Sequence, residues 1–177
     1  GDALDVPWIT WLADIDPAEE AVDVSSLLLL RYLLGGGWVD EQQAAPLIQL
    51  PVEESRGAIL KLARATISSH PLLARVEGVP EGTTPVWHLA SEALGRLLAS
   101  DRDAGHSRQL PTRREIAISY ARARGRISST ELGSLVGASG TNVGGNLKEL
   151  AADGFLTPSN PTGRGRGFFY RWSGTEE

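Results

Sequence analysis

Cysteine and methionine are both absent from the 177 residues, and histidine occurs only three times. Without cysteine the chain holds no disulfide and no thiolate metal site. Long apolar runs are missing as well. The richest stretch, Leu27 to Leu30, meets Arg31 at once, whereas a bilayer-spanning helix takes about 20 predominantly apolar residues. No signal-peptide pattern opens the chain, so a cytoplasmic protein with no membrane partner is expected. A start at Gly-Asp with no methionine is read as a fragment of a longer chain, with something missing upstream.

Enzyme signatures are equally scarce. His70, His88 and His106 are scattered without metal-ligand spacing, and neither a nucleophile elbow nor a Walker loop occurs. Gly163-Arg-Gly-Arg-Gly167 looks like a phosphate cradle, yet it lacks the Lys-Ser/Thr ending and the following helix that such loops require. Glu19-Glu20 and Glu53-Glu54 read as solvated or helix-capping acids. The expectation is therefore no catalytic residue, no metal and no cofactor.

What is present is an ordinary globular composition, 41% apolar and 22% charged, enough for one good core or two small ones. The net charge of −5 conceals a split. Residues 1–100 carry 6 basic and 14 acidic side chains, and residues 101–177 carry 11 and 8. Basic residues cluster at Arg113-Arg114, at Arg122, Arg124 and Arg126, and at Arg164 and Arg166. A basic half that meets phosphates and an acidic half that avoids them follow from this split.

The most informative stretch runs from Thr112 to Trp172. Thr112 with Glu115, and Ser128 with Glu131, have the spacing of capping boxes, each starting a helix. Ile116, Ala117, Tyr120 and Ala121 recur at helical spacing until Gly125 offers a left-handed stop, and Gly137 closes the second helix. Val143, Leu147 and Leu150 give a third helix one apolar stripe. Two strands, around Phe155 to Thr157 and Gly167 to Trp172, enclose a turn from Pro158 to Arg166 that reads as a wing. Residues 112–173 are thus a winged helix-turn-helix, expected to bind double-stranded DNA.

The first half repeats this order. Helices containing Leu27 to Leu34, Ala44 to Ile48 and Ile59 to Leu62 precede a hairpin, Leu72 to Val76 and Val86 to Leu89. A shift of 88 residues places Leu30 on Ile118, Gly37 on Gly125, Val39 on Ile127, Leu47 on Leu135, Ile59 on Leu147 and Leu62 on Leu150. The fold class expected is mainly α with short β-hairpins (α+β), as two winged helix-turn-helix units in tandem. Residues 25–99 form the first unit, acidic and suited to dimerisation, and residues 100–111 a polar linker. Residues 1–24, which include Trp8 and Trp11, are read as an arm or as a junction to a missing upstream domain.

The copies differ where a DNA contact would lie. In the second, Thr141, Gly145 and Lys148 point away from the apolar stripe with Asn142 on the flank, which suits base-edge or phosphate contacts. Arg164 and Arg166 suit a phosphate backbone or the minor groove, and Ser129 and Thr130 at a helix start suit phosphate. The first copy has Glu53, Glu54 and Arg56 at the outward helix positions, and Glu77 and Glu81 in its wing. Gly144 and Gly145 cut the other way, each costing about 1 kcal/mol relative to alanine in mid-helix. Either a close approach to DNA or to another helix, or a partly frayed helix, accounts for them.

The paired units, the phrase GRISSTELGSLVGASGTNVGGNLKELAADGFL and the ending GRGRGFFYRW resemble the C-terminal region of bacterial RecG-helicase-related or Schlafen AlbA-type ATP-binding transcriptional regulators. The resemblance covers about Ser25 to Trp172. It implies DNA-linked regulation, with the ATP-binding domain upstream and absent from this chain, and it transfers no catalytic residue. Two functions remain: a homodimeric DNA-binding transcriptional regulator that reads duplex DNA with its second unit, and a tandem winged-helix protein-interaction scaffold similar to the kleisin-binding subunit of chromosome-condensing complexes.

Overall fold

A computed structural model describes residues 4–19 and 23–174. Asp2 and Glu20, counted above among the N-terminal acids, lie outside them. The fold is mixed α+β, mainly helical, with small antiparallel sheets. No described helix is long and apolar enough to cross a membrane. The chain forms two compact units. One comprises the described residues up to Arg75 together with Thr84–Leu110; the other comprises Val76–Thr83 and the described residues from Pro111 onward.

The first unit opens with helix α1 (Val6–Ala13), started by Asp5, whose carboxylate accepts from the Trp8 amide at 3.1 Å, with Pro7 in the first turn. A proline in the first turn loses only an N–H that had no helical partner. The expected arm is therefore a helix docked on its own core. Trp8 and Trp11 stack at 5.4 Å and are buried, and Trp11 Nε1 donates to the Ala93 carbonyl at 2.8 Å. Strand β1 (Ile15–Asp16) follows. Helices α2 (Val24–Gly36), α3 (Glu41–Ile48) and α4 (Val52–Ala63) are next, the first two capped by Asp23 and Asp40. Leu29, Leu30, Leu33, Ile59 and Leu62 point into the core. A hairpin of β2 (Thr66–Ile67) and β3 (His70–Pro71) pairs with β1, and β4 (Leu73–Arg75) pairs with β5 (Trp87–Leu89). Helix α5 (Ser91–Ala104) extends through the first residues of the expected linker.

The second unit has α6 (Arg113–Arg124), β6 (Arg126–Ile127), α7 (Ser129–Val136), α8 (Gly140–Ala152), β7 (Leu156–Pro158) and β8 (Tyr170–Trp172), with sheet order β6-β8-β7. Both capping boxes are formed. Tyr120, Ile127, Leu132, Leu147 and Leu150 are fully buried around them. Helix α8 continues unbroken through Gly144 and Gly145, so fraying does not account for those glycines.

The 88-residue shift carries α3 onto α7 residue for residue and superposes the left-handed helix stops Gly37 (φ 87°) and Gly125 (φ 83°). The hairpins also match, on a different shift. Leu73↔Leu89, Ala74↔His88 and Arg75↔Trp87 correspond to Leu156↔Trp172, Thr157↔Arg171 and Pro158↔Tyr170. The Val39↔Trp87 bridge likewise corresponds to Ile127↔Tyr170. The shift changes between Leu62 and Leu73, where the first unit inserts the β2–β3 hairpin that receives β1.

One close approach holds the turn between α7 and α8. A Cβ on Gly133 would lie 2.6 Å from the Ala138 carbonyl oxygen, and the Gly133 carbonyl itself accepts from the Ala138 amide at 2.9 Å. Gly133→Ala is expected to cost about 1–3 kcal/mol from this clash, despite the better helix propensity of alanine. Denaturant unfolding checks it, and an unchanged midpoint would show that the turn yields freely.

Candidate nucleic-acid interface

A half-open cleft of about 570 Å³ lies in the second unit, between the start of α7, one side of α8 and the loop joining β7 to β8. Four of the residues picked from the sequence line it: Ser129, Thr130, Lys148 and Arg164. Thr141 and Asn142 are exposed in the first turn of α8, outside the cleft lining, and Arg166 is exposed in the loop. Gly78 and Pro80 also contribute to the lining. The Glu77 amide donates to Ser134 Oγ on α7 at 2.9 Å.

Each part of the cleft has a local cause. Ser128 ends extended backbone and caps α7, which leaves Ser129 and Thr130 at the helix start, where amides and the helix dipole favour an anion. Ser139 does the same for α8, accepting from the Asn142 amide at 3.2 Å. The loop between the last two strands is shaped by Asn160, whose Oδ1 accepts from the Gly163 amide and Thr162 hydroxyl, both at 2.9 Å, and whose Nδ2 donates to the Arg164 carbonyl at 3.1 Å. Gly163, Gly165 and Gly167 take positive φ there, a conformation with a steric cost for other residues. The result presents Arg164 and Arg166 to solvent. Among the described residues no carboxylate pairs with Lys148, Arg164 or Arg166.

Arg126, Glu131 and Tyr120 add a feature that spacing alone does not reveal. Glu131 is almost wholly buried and accepts from the Arg126 Nη2 at 2.9 Å, the Ser128 amide at 3.0 Å and the Tyr120 hydroxyl. Burial, reinforced by the adjacent Glu131 carboxylate, pushes the Tyr120 phenol far above its ordinary range, so it stays a donor. Arg126 stacks over Phe169 at 4.1 Å. It lines the cleft while its charge is answered from below, unlike Lys148 and Arg164. Only its place in a basic cluster, and Glu131's place in a capping box, marked these residues in the sequence.

The first unit carries different chemistry at the equivalent positions. Ser129 corresponds to Glu41, Lys148 to Leu60, and Thr141 with Asn142 to Glu53 with Glu54. Glu41 is buried and binds Arg56 through two bonds at 2.5 and 3.0 Å, which holds its carboxyl below the usual range.

Among the described residues, His106 is the histidine that joins a cluster of ligand-type groups. Its Nε2 lies 3.7 Å from Asp5 Oδ1, and Asp101 completes a trio with ligand atoms within 4.8 Å of one another. Arg108 already occupies these carboxylates, bonding Asp101 at 2.7 and 2.9 Å and Asp5 at 2.9 and 3.1 Å. A cation would have to displace that guanidinium, so the cluster works as an ion-pair staple. It joins α1 to the end of α5 and to residues expected to be linker. His88, buried in β5, has its pKa lowered by desolvation.

No protein-family model matches the chain, and no curated protein matches it. Among solved structures it is similar to part of the DIP2311 protein from Corynebacterium diphtheriae, with a TM-score of 0.73 and 17% identity. The match covers 94% of this chain and 29% of that one, so the chain spans less than a third of that protein's length. At this identity the likeness is one of fold.

Proposed function

We propose that the chain is a DNA-binding module of transcription regulation, built from two winged helices, in which the second unit contacts duplex DNA. The observation that carries this reading is the convergence of Ser129, Thr130, Lys148 and Arg164 on one cleft beside α8. In the first unit Ser129, Thr130 and Lys148 are matched by Glu41, Gln42 and Leu60, none of them basic. Cations without carboxylate partners and hydroxyls at a helix start are the groups that hold a phosphate backbone. The Arg164/Arg166 loop serves as the wing. In this reading the chain occupies the place of the C-terminal region behind an ATP-binding domain, as its resemblance to the regulators named above implies.

The first unit acts as the holding half, and its partner is a second copy of the chain. Val24, Leu28 and Leu60 are apolar and exposed on its helices, and the outward acids Glu53 and Glu54 repel DNA rather than bind it.

Binding of the wild-type chain to duplex DNA is expected to fall steeply with salt. Arg164→Ala with Arg166→Ala should weaken it and lower the slope of log K against log salt by about two or slightly less. A wild-type chain with no salt-sensitive binding to any duplex overturns the proposal. The scaffold alternative would then gain ground, with its tight partner a protein.

A further inference from the structure

We infer that the loop Val76–Thr83, expected from the sequence to be the wing of the first unit, is instead a wall of the DNA-contact cleft of the second, an inference that rests on the DNA-binding reading above. The strands on either side of the loop, β4 and β5, belong to the first unit, yet the loop itself groups with the second. Its composition is wrong for a wing that grips phosphate by charge, since no basic residue lies between Val76 and Thr83 and two acids, Glu77 and Glu81, do. The residues it turns to the cleft are uncharged. Gly78 and Pro80 line the cavity, whereas Glu77 and Glu81 are exposed outside the lining.

The loop is fitted to the helix start that carries the cleft's hydroxyls. Gly78 has φ 84°, and a Cβ on it would lie 2.9 Å from Thr130 Cγ2, so backbone conformation and close approach both call for glycine. One residue earlier the Glu77 amide donates to Ser134 Oγ at 2.9 Å, one turn along α7 from Thr130. Thr83 Oγ1 closes the far side of the loop by donating to the Pro80 carbonyl at 2.6 Å. Whatever Ser129, Thr130, Lys148 and Arg164 hold in this cleft therefore lies against Gly78 and Pro80 as well. A helix start braced in this way has less to order when a phosphate arrives. Residues 112–173 alone do not make the whole site.

The test uses the whole chain, whose lack of cysteine lets one be introduced alone. Pro80→Cys and Gly144→Cys, each labelled with an aryl azide photo-cross-linker, are illuminated with a short duplex at low salt and again at a salt concentration that abolishes binding. Position 144 also lines the cleft, and a Cβ there meets no heavy atom within 4 Å. Both variants are expected to cross-link at low salt and neither at high salt. Gly78→Val should weaken binding about tenfold, the worth of one hydrogen bond to a phosphate lost when Thr130 is displaced, and should leave the salt slope unchanged because no cation is removed. If Pro80→Cys stays at its high-salt yield while Gly144→Cys cross-links, the inference falls and the DNA-binding reading stands. A folded Gly78→Val chain that binds as tightly as wild type has the same consequence. No cross-link from either position, together with no salt-sensitive binding by the wild type, overturns both.

Discussion

Arg108→Ala is expected to cost about 3–5 kcal/mol of unfolding free energy, because it strands two carboxylates that a buried guanidinium now holds. Asp101 has only 5% of its side chain exposed and Arg108 10%, so water cannot take over these bonds without the end of α5 moving. Asp5 is more open, at 32%, and its share is correspondingly screened. The same substitution loosens α1, since Asp5 also caps that helix and Trp8 and Trp11 hang from it. Denaturant titration followed by tryptophan fluorescence reads both effects. The pH dependence has a definite sign. The Arg108 hydrogen bonds hold the Asp5 carboxyl below its ordinary value of 3.8. Its contribution is therefore fully present above pH 3.8 and is lost as pH falls through the lower folded value. The variant lacks this Asp5 contribution, so its deficit against wild type should narrow on acidification. A deficit under 1 kcal/mol at neutral pH would mean that the staple stabilises nothing.

The helices of the second unit were legible because their signals are local. Thr112/Glu115 and Ser128/Glu131 sit three residues apart, and each pair closes its own loop of hydrogen bonds without help from elsewhere. Glycine stops at Gly37, Gly125 and Gly137 are just as local. What spacing leaves unread falls where partners are distant in sequence. Two tryptophans in an acidic stretch read as an arm because nothing near them announces Ala93, 82 residues away from Trp11, as the hydrogen-bond acceptor. Asp5 ahead of Pro7 is a legitimate helix start, but its anchor, Arg108, is 103 residues downstream. Polar residues 100–111 read as linker for the same reason. The order of three helices and a hairpin was visible in both halves, but the 88-residue register did not extend to the hairpins, since an insertion paired to β1 alters the spacing while leaving strand register intact. At the cleft, spacing marked the helix start at Ser129 and Thr130 and the loop carrying Arg164, all of which line it. It grouped Arg126 with Arg122 and Arg124 as one basic cluster, whereas all three lie over aromatic rings and Arg126 also bonds a buried carboxylate. Thr141, Asn142 and Arg166 belong to the same unit but lie outside the cleft lining.

Glu131→Ala should cost about 2–4 kcal/mol, through loss of the cap on α7 and of the acceptor for the buried Tyr120 hydroxyl proton. The cost arises because one carboxylate serves three donors from three elements. It ties α6 through Tyr120, β6 through Arg126 and α7 through the Ser128 amide. Tyr120→Phe removes a donor and leaves Glu131 two others, so it should cost about 1 kcal/mol. In the Glu131→Ala background the same Tyr120→Phe change should cost less, since the bond to Glu131 is already gone. That non-additivity is the measurement. Equal costs in both backgrounds would show that Tyr120 and Glu131 act independently and that the short contact between them carries no stability. The consequence extends to the cleft. Ser129 and Thr130 take their position from the capped end of α7, and Arg126 from its bond to Glu131. Under the DNA-binding proposal, the folded fraction of Glu131→Ala should bind duplex DNA more weakly than wild type, even though the substitution removes a negative charge from beneath the cleft. Simple electrostatics predicts the opposite sign, a tighter complex on losing an acid. The direction of the change therefore separates an acid that orders the interface from one that merely sits near it.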